Sequence, residues 1–388
     1  ILEAYDLKER GKLKAVVAVG GLAQRYKQDL QEEIPEVDLF MGLTELKGLV
    51  PELRSRGLLP ESETVPIMER PLRVLSTETP HTSYLKISEG CDHTCAFCAI
   101  PLMRGLHRSQ PVEELVREAA GLGAQGVKEI NIVSQDTTWY GRDARRRDRE
   151  APLLPELLRA LIDGTDVAWC RLFYMYPSGI TPEMVELIAS EARIVPYLDM
   201  PIQHGSDRML QLMRRPERQE TIRERVGWLR DAIPGLTLRT TVIVGFPGEQ
   251  DDDFREMLDL LEEIRFDRVG AFTYSVEEGT RAADMAGQLE QAVMNERLEE
   301  LMEVQRDISF EKNLDLIGQR TTALVDNLLD GDEDFVAVAR TVAQAHEVDG
   351  VTNLIGLEGT AGIEPGSMIE VEIVDALDYD LVAKTRTG

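Results

Sequence analysis

Between residue 82 and about residue 306, short β-branched apolar runs alternate with stretches of helical period. The runs span 83–88, 127–133, 167–174, 194–200, 236–244 and 266–274. Between and after them, apolar residues recur every three or four positions over 112–122, 154–162, 183–190, 208–213, 222–232 and 252–264. Strand–helix alternation predicts parallel strands joined by right-handed crossovers, and six such units predict a barrel or part of one. Polar and glycine-rich residues follow each run: Gly90-Cys91, Ser134-Gln135-Asp136, Tyr176-Pro177-Ser178-Gly179, Gln203-His204-Gly205-Ser206, Gly245-Phe246-Pro247-Gly248-Glu249, and Ser275 with Glu277-Glu278-Gly279. These are strand carboxyl ends, where parallel α/β barrels place their active sites.

The flanks differ. A short apolar strand is expected over 14–19, then Gly20-Gly21 and a helix over 22–34 that Pro35 ends. Pro60, Pro66, Pro71 and Pro80 punctuate 58–82 without a period, which reads as a linker. A long charged helix over 292–317 leads out of the barrel. Beyond it, β-rich runs at 322–325, 335–341 and 368–374, separated by turn signals, predict a small antiparallel barrel. The expected domains are therefore 1–70, 71–317 and 318–388, in an α/β fold.

Composition narrows the functional classes. The 388 residues are 43% apolar and 29% charged, a globular balance. With 43 Lys and Arg against 70 Asp and Glu, the net charge is −27. Such a chain is not a general polyanion binder and suits a basic partner better. Residues 318–388 are themselves acidic, with 14 acids against 4 bases. No apolar run approaches the ~18–20 residues of a membrane span, and the first residues lack the basic flank and apolar core of a signal peptide. Four cysteines in this length make no disulfide framework, so a reducing cytoplasmic setting is expected.

Three of those cysteines, Cys91, Cys95 and Cys98, are spaced Cys-x3-Cys-x2-Cys after the first barrel strand. Thiolates suit zinc or an iron–sulfur cluster. Zinc held by the three thiols with His93 is the structural alternative. However, closed zinc sites usually draw on thiol pairs far apart in sequence, and here that spacing is absent. Three thiolates leave one iron of a 4Fe–4S cluster open to a small molecule. Phe97, inside the loop, either shields such a cluster or packs as an ordinary aromatic. Cys170, isolated beside Trp169, reads as a buried structural thiol.

The motif resembles that of the radical S-adenosylmethionine (SAM) enzymes. The fuller string Lys86-Ile-Ser-Glu-Gly-Cys91-Asp-His-Thr-Cys95-Ala-Phe-Cys98-Ala-Ile-Pro101, with Met103-Arg104-Gly105, is similar to that of the methylthiotransferases. Ile132-Val-Ser-Gln-Asp-Thr137, Tyr197-Leu-Asp-Met-Pro-Ile-Gln-His204, Met213-Arg-Arg215, Arg239-Thr-Thr-Val-Ile-Val-Gly-Phe-Pro-Gly-Glu249 and Phe272-Thr-Tyr-Ser-Val-Glu-Glu-Gly279 resemble the RimO branch. Arg340-Thr-Val-Ala-Gln-Ala-His-Glu-Val-Asp-Gly350 with Asp378-Tyr-Asp-Leu381 resembles that branch's TRAM domain, a small substrate-binding β-barrel.

The resemblance implies a radical SAM partial (β/α)6 barrel between a truncated N-terminal α/β domain and a TRAM-like antiparallel barrel. It implies that Cys91, Cys95 and Cys98 hold a 4Fe–4S cluster whose open iron binds SAM. The activity it implies is methylthiolation of an aspartate β-carbon in small-subunit ribosomal protein S-twelve, with flavodoxin or ferredoxin as electron donor. A sister branch acts on tRNA adenosine, but the acidic charge disfavours RNA. A non-catalytic ribosomal-protein binder with a structural metal is the remaining alternative.

Ser134, Gln135 and Asp136 are candidates for the SAM amine and nearby polar contacts, with a turn-forming Asp136 as the alternative. Thr241 and Val244 are candidates near adenine or ribose, or else packing residues. Arg239 could pair with the SAM carboxylate or form a salt bridge inside the barrel. Gln203, after the fourth strand, is a candidate cofactor contact, and His204 beside it reads as a hydrogen-bonding cavity residue rather than a metal ligand. The family also carries a second cluster on three N-terminal cysteines. Its string Gly-Cys-Leu-Ala-Gln-Arg-Tyr appears here as Gly20-Gly21-Leu22-Ala23-Gln24-Arg25-Tyr26, with Gly21 where the third cysteine is expected.

Overall fold

The structure, a computed structural model, describes residues 1–60, 75–329, 334–356 and 363–385. The linker expected over 58–82 falls largely on 61–74, outside the described residues. Two compact units emerge. One holds described residues 1–60, 89–94 and 98–108; the other holds 75–88, 95–97 and the described residues from 109 onward.

In the first unit, β1 (Val17–Val19) runs parallel to β2 (Leu39–Met41). Val16, Ala23, Val37 and Phe40 form its small core. The single helix expected over 22–34 is two, Gly21–Arg25 and Lys27–Glu33, because Tyr26 leaves helical dihedrals at φ −122° and ψ 33°. Helix Ile100–Arg104 belongs to this unit and stops at Gly105, whose φ of +74° a side chain would disfavour.

In the second unit, six parallel strands form one sheet: β3 (Thr82–Lys86), β4 (Glu129–Val133), β5 (Trp169–Leu172), β6 (Ile194–Asp199), β7 (Thr237–Val244) and β8 (Arg268–Thr273). Their spatial order is their sequence order, from β3 at one edge to β8 at the other. The crossover helices include Val112–Ala124, Leu154–Gly164, Pro182–Ser190, Gln219–Ala232 and Asp251–Ile264, close to the expected spans. Helix starts follow local chemistry. For example, the Thr181 hydroxyl accepts from the Met184 amide, and Pro182 supplies the first helical residue.

Strand periodicity divides the sheet's two faces. Leu85, Ile130, Ile132, Leu172, Leu198, Leu238, Val242 and Val244 join the helices in the large core. The alternate positions, including Glu129, Asn131, Arg171, Tyr197, Asp199, Arg239 and Thr241, occupy the other face. That face carries the polar groups.

Helix Gln291–Leu314 leads to a closed barrel of β9 (Arg320–Leu328), β10 (Ala337–Thr341), β11 (Thr352–Ile355), β12 (Met368–Ala376) and β13 (Leu381–Thr385). The expectation of an antiparallel barrel holds for four of its five ladders; β11 and β13 pair in parallel. Its core is built largely from small residues, Ala323, Ala337, Ala339 and Ala383 with Val325, Leu354 and Val371, as a narrow barrel requires.

This barrel packs on the polar face of the sheet. Trp169, Phe173, Val195 and Tyr197 meet Leu324 and Ala345. Beside them, Arg340 donates to Glu129 and to Asp326, Arg171 donates to Glu129, and the Tyr197 hydroxyl donates to Asp349 at 2.7 Å. Glu129 opens β4 and Thr82 opens β3, so the Arg340 network lies at the amino-terminal ends of those strands. Their carboxyl ends are left to the loops. No helix among the described residues is long and apolar enough to cross a membrane.

Candidate active site

The loop after β3 carries the three clustered cysteines. Within the first unit, Gly90 adopts a φ of +78°, and a Cβ there would collide with the carbonyls of Gly105 and Leu106. The Cys91 amide donates to the Gly105 carbonyl at 3.1 Å, and the Asp92 carboxylate accepts from the His107 amide at 2.9 Å. These bonds fix the loop's first turn.

Within the second unit, residues 95–97 are anchored separately. The Ala96 amide donates to the Met213 carbonyl at 2.9 Å, and the Ala282 amide donates to the Ala96 carbonyl at 2.8 Å. Phe97 meets Phe246 edge-on at 6.5 Å, and Phe246 meets Tyr274 at 5.5 Å, so Phe97 belongs to an aromatic cluster. The Cys95 sulfur lies 3.5 Å from the Tyr176 hydroxyl and accepts from Arg215 Nη1 at 3.9 Å. Donors aimed at a buried sulfur suit one that carries negative charge, and three soft thiols are the donor set of an iron–sulfur cluster. The residues thus fit the group. Among the described residues, no three His, Cys, Asp or Glu side chains are already gathered at metal-binding distance.

The other sequence candidates separate into distinct environments. The Ser134 hydroxyl makes a short hydrogen bond with that of Ser88. The Asp136 carboxylate accepts from the Thr138 amide at 2.9 Å and hydroxyl at 2.6 Å, the turn-forming role. Gln135 differs: its Oε1 is buried without a hydrogen-bond partner. An unpaired buried acceptor at a strand's carboxyl end fits a ligand ammonium such as that of SAM.

Gln203 holds a φ of +71°, rare for a side-chain-bearing residue. Its amide donates to the Thr241 carbonyl and its carbonyl accepts from the Ile243 amide, both at 2.9 Å. Those two bonds impose the strained conformation. His204 is fully buried; its Nδ1 accepts from the Ser206 amide, and its Nε2 lies 3.3 Å from Glu249.

Arg239 is committed to a salt bridge. Its Nη1 donates to Asp199 at 2.8 Å and to the Thr241 hydroxyl at 3.3 Å, and its Nε lies 3.7 Å from Asp349. Burial pushes the Asp199 carboxyl above its ordinary value, and Arg239 offsets part of that. Thr241 shares the polar face with Arg239, but Val244 does not. Its side chain lies in the helix-facing core, and its carbonyl accepts from the Tyr274 amide at 2.8 Å.

Sequence reasoning did not single out Tyr174, and it held Tyr176, Asp199 and Arg215 only as members of quoted strings, without a role. Tyr174 sits at the end of β5 with a φ of +56° and 46% exposure, and its amide donates to Asp199. Its signal was the tyrosine pair around Met175 at a strand end. Arg215 lies within a recognised string, but nothing in that string told which atom it meets. Cys170 is buried, and burial pushes its thiol up to about 12, in keeping with a structural role.

Residues 85–261 match the model of the radical SAM superfamily, and residues 317–385 match the TRAM domain. The chain is 44% identical over 388 residues to the ribosomal protein uS12 methylthiotransferase RimO of Anaeromyxobacter sp. (strain K), covering 99% of this chain and 80% of that protein. The corresponding protein of Geobacter sulfurreducens is 39% identical, with 99% and 85% covered. This chain belongs to the RimO family. RimO membership makes it a radical SAM methylthiotransferase, a transferase that uses a 4Fe–4S cluster and SAM. The fold agrees: the cobalamin-dependent radical enzyme OxsB, bound to aqua-cobalamin and SAM, superposes with a TM-score of 0.53 at 15% identity, covering 77% of this chain and 45% of that one.

Proposed function

We propose that this RimO-family chain transfers a methylthio group to the β-carbon of an aspartate in ribosomal protein uS12. The observation that carries this reading is the near-full-length likeness to uS12 methylthiotransferases. Charge supports a protein substrate over tRNA. The C-terminal segment, with 14 acids against 4 bases, attracts a basic ribosomal protein and repels phosphate. A cytoplasmic setting, with flavodoxin or ferredoxin as electron donor, completes the reading.

Cys91, Cys95 and Cys98 would ligate the cluster. When bound, the cluster and SAM supply one-electron chemistry at the substrate carbon and a methyl group for the transferred sulfur. The chain's own residues bind, orient and exclude water. Gln135 Oε1 offers an acceptor to the SAM amine, and Gln203, just after β6, is held to Thr241 of β7 by its backbone. Phe97 packs on Phe246 and Phe246 on Tyr274, and these rings would shield the cluster loop from water. Arg239, held by Asp199, stabilises the polar face.

These residues supply thiolates for one cluster. Position 21 is glycine where the family string has cysteine. A Cβ there would meet Met103 Cβ at 3.5 Å, an ordinary contact, so sterics do not exclude cysteine. At position 21 a second cluster would lack the family's third thiolate.

The test is to incubate the anaerobically reconstituted protein with uS12, tRNA, SAM, a sulfide source and a reductant, then analyse uS12 peptides and tRNA nucleosides by mass spectrometry. The expected product is one aspartate peptide with methylthio in place of hydrogen. SAM cleavage with unmodified uS12, and with modified tRNA instead, would overturn the substrate assignment.

A further inference from the structure

The surroundings of Cys95 hold a charged group that its role as a ligand does not require. Arg215 is almost fully buried, 3% exposed, at the turn after helix Asp207–Leu212. Three contacts fix its guanidinium. Nη2 donates to the Pro201 carbonyl at 3.0 Å, Nε lies 3.1 Å from a carboxylate oxygen of Glu217, and the plane stacks on the Tyr176 ring at 3.7 Å. Glu217 is itself buried and held by the Ser178 hydroxyl at 2.9 Å. The remaining nitrogen, Nη1, donates to the Cys95 sulfur at 3.9 Å. The Tyr176 hydroxyl reaches the same sulfur at 3.5 Å.

Burying a cation is costly unless something compensates it. Glu217 supplies part of that compensation. A thiolate at Cys95 carrying cluster charge supplies more, and it gains most when the cluster accepts an electron. Hydrogen bonds to ligand sulfurs and nearby charge are the levers by which a protein sets a cluster's potential.

We propose that Arg215 and Tyr176 form a built donor pair on the Cys95 sulfur that raises the reduction potential of the cluster this loop holds. Both are positioning residues, since they act through Cys95. The arrangement favours the reduced cluster and so eases the electron's arrival from the donor. The inference rests on the cluster reading of the proposed function.

The test is an anaerobic redox titration of the reconstituted protein, following the paramagnetic signal of the reduced cluster. Iron and sulfide are measured on each sample. Arg215→Gln removes the charge, and Tyr176→Phe keeps the ring beneath Arg215 and removes only the hydroxyl. Arg215→Gln is expected to lower the reduced-to-oxidised ratio at fixed potential at least tenfold, about 59 mV for a one-electron couple. Tyr176→Phe should lower it in the same direction by less. An unchanged midpoint in fully loaded Arg215→Gln would overturn the proposal, since a purely structural arginine affects loading and not potential. If Arg215→Gln does not load, Tyr176→Phe decides: a lowered midpoint supports the pair and an unchanged one refutes it. Absence of any cluster in the unsubstituted protein would instead defeat the proposed function.

Discussion

Arg340, on β10 of the C-terminal barrel, donates from Nη1 to Glu129 Oε2 at 2.5 Å, at the first residue of β4. Both side chains are buried. Arg340 also donates to Asp326 at 2.7 Å and 3.0 Å and to the Thr82 hydroxyl at 3.1 Å, and His81 Nε2 lies 2.8 Å from Asp326. One arginine thus ties the C-terminal barrel to the sheet through buried charges.

Removing one member of such a network leaves charge buried without a partner, which costs about 3–5 kcal/mol. Arg340→Met should therefore destabilise the protein by about that amount in urea unfolding, with cluster content unchanged in the folded fraction. The triple replacement Arg340→Met, Glu129→Gln, Asp326→Asn should be milder than the single change. A loss under about 1 kcal/mol for the single change would show that water or rearrangement already satisfies those carboxylates.

The same network predicts an acid limb. Burial alone would raise the Glu129 carboxyl, but Arg171 and Arg340 outweigh it and hold it below the ordinary value. Burial likewise opposes, and His81 with Arg340 outweighs it to lower, the Asp326 carboxyl. Folded values below unfolded ones mean that the unfolded chain takes up protons first as pH falls. The stabilisation is complete above the ordinary carboxylate range of about 4, and it is lost as pH falls through the folded values. Unfolding free energy measured from pH 6 down to pH 3 should fall more steeply for the unsubstituted protein than for Glu129→Gln with Asp326→Asn.

Gln203 and Gln135 separate backbone from side-chain roles. A non-glycine residue at positive φ costs on the order of 1–3 kcal/mol. Gln203→Gly should therefore raise stability or leave it unchanged, while weakening SAM binding if the side chain meets the ligand. Gln135→Ala should leave stability near its starting value and weaken SAM about tenfold, the loss of one hydrogen bond to a charged group. Calorimetric SAM titration of the reconstituted variants reads both. Unaltered SAM affinity in both would remove these glutamines from the site.

Much of this architecture was legible in the sequence because its signals are local. The strands of the sheet combine β-branched runs with helices on one face, so their positions followed from periodicity, and their glycine-rich ends marked the catalytic side. Strands β11 (Thr352–Ile355) and β13 (Leu381–Thr385) escaped because each is short and gains its place only by closing the barrel. The break at Tyr26 escaped because periodicity has no signature for one residue leaving the helix. For Val244 the packing alternative already open in the sequence follows from its three-position separation from Thr241, since in a strand an odd separation puts side chains on opposite faces. Arg215 and Tyr176 were not recoverable, since they come from different loops and meet at Cys95 only in the folded chain.

The central claim is that Cys91, Cys95 and Cys98 hold the cluster that cleaves SAM. Iron, sulfide and 5′-deoxyadenosine should be measured together after anaerobic reconstitution, in the unsubstituted protein, Cys95→Ala and Cys170→Ala. The account predicts about four iron and four sulfide per chain with SAM cleavage in the first and third, and loss of both in Cys95→Ala. Cleavage retained in Cys95→Ala, or zinc bound in place of iron throughout, would contradict it.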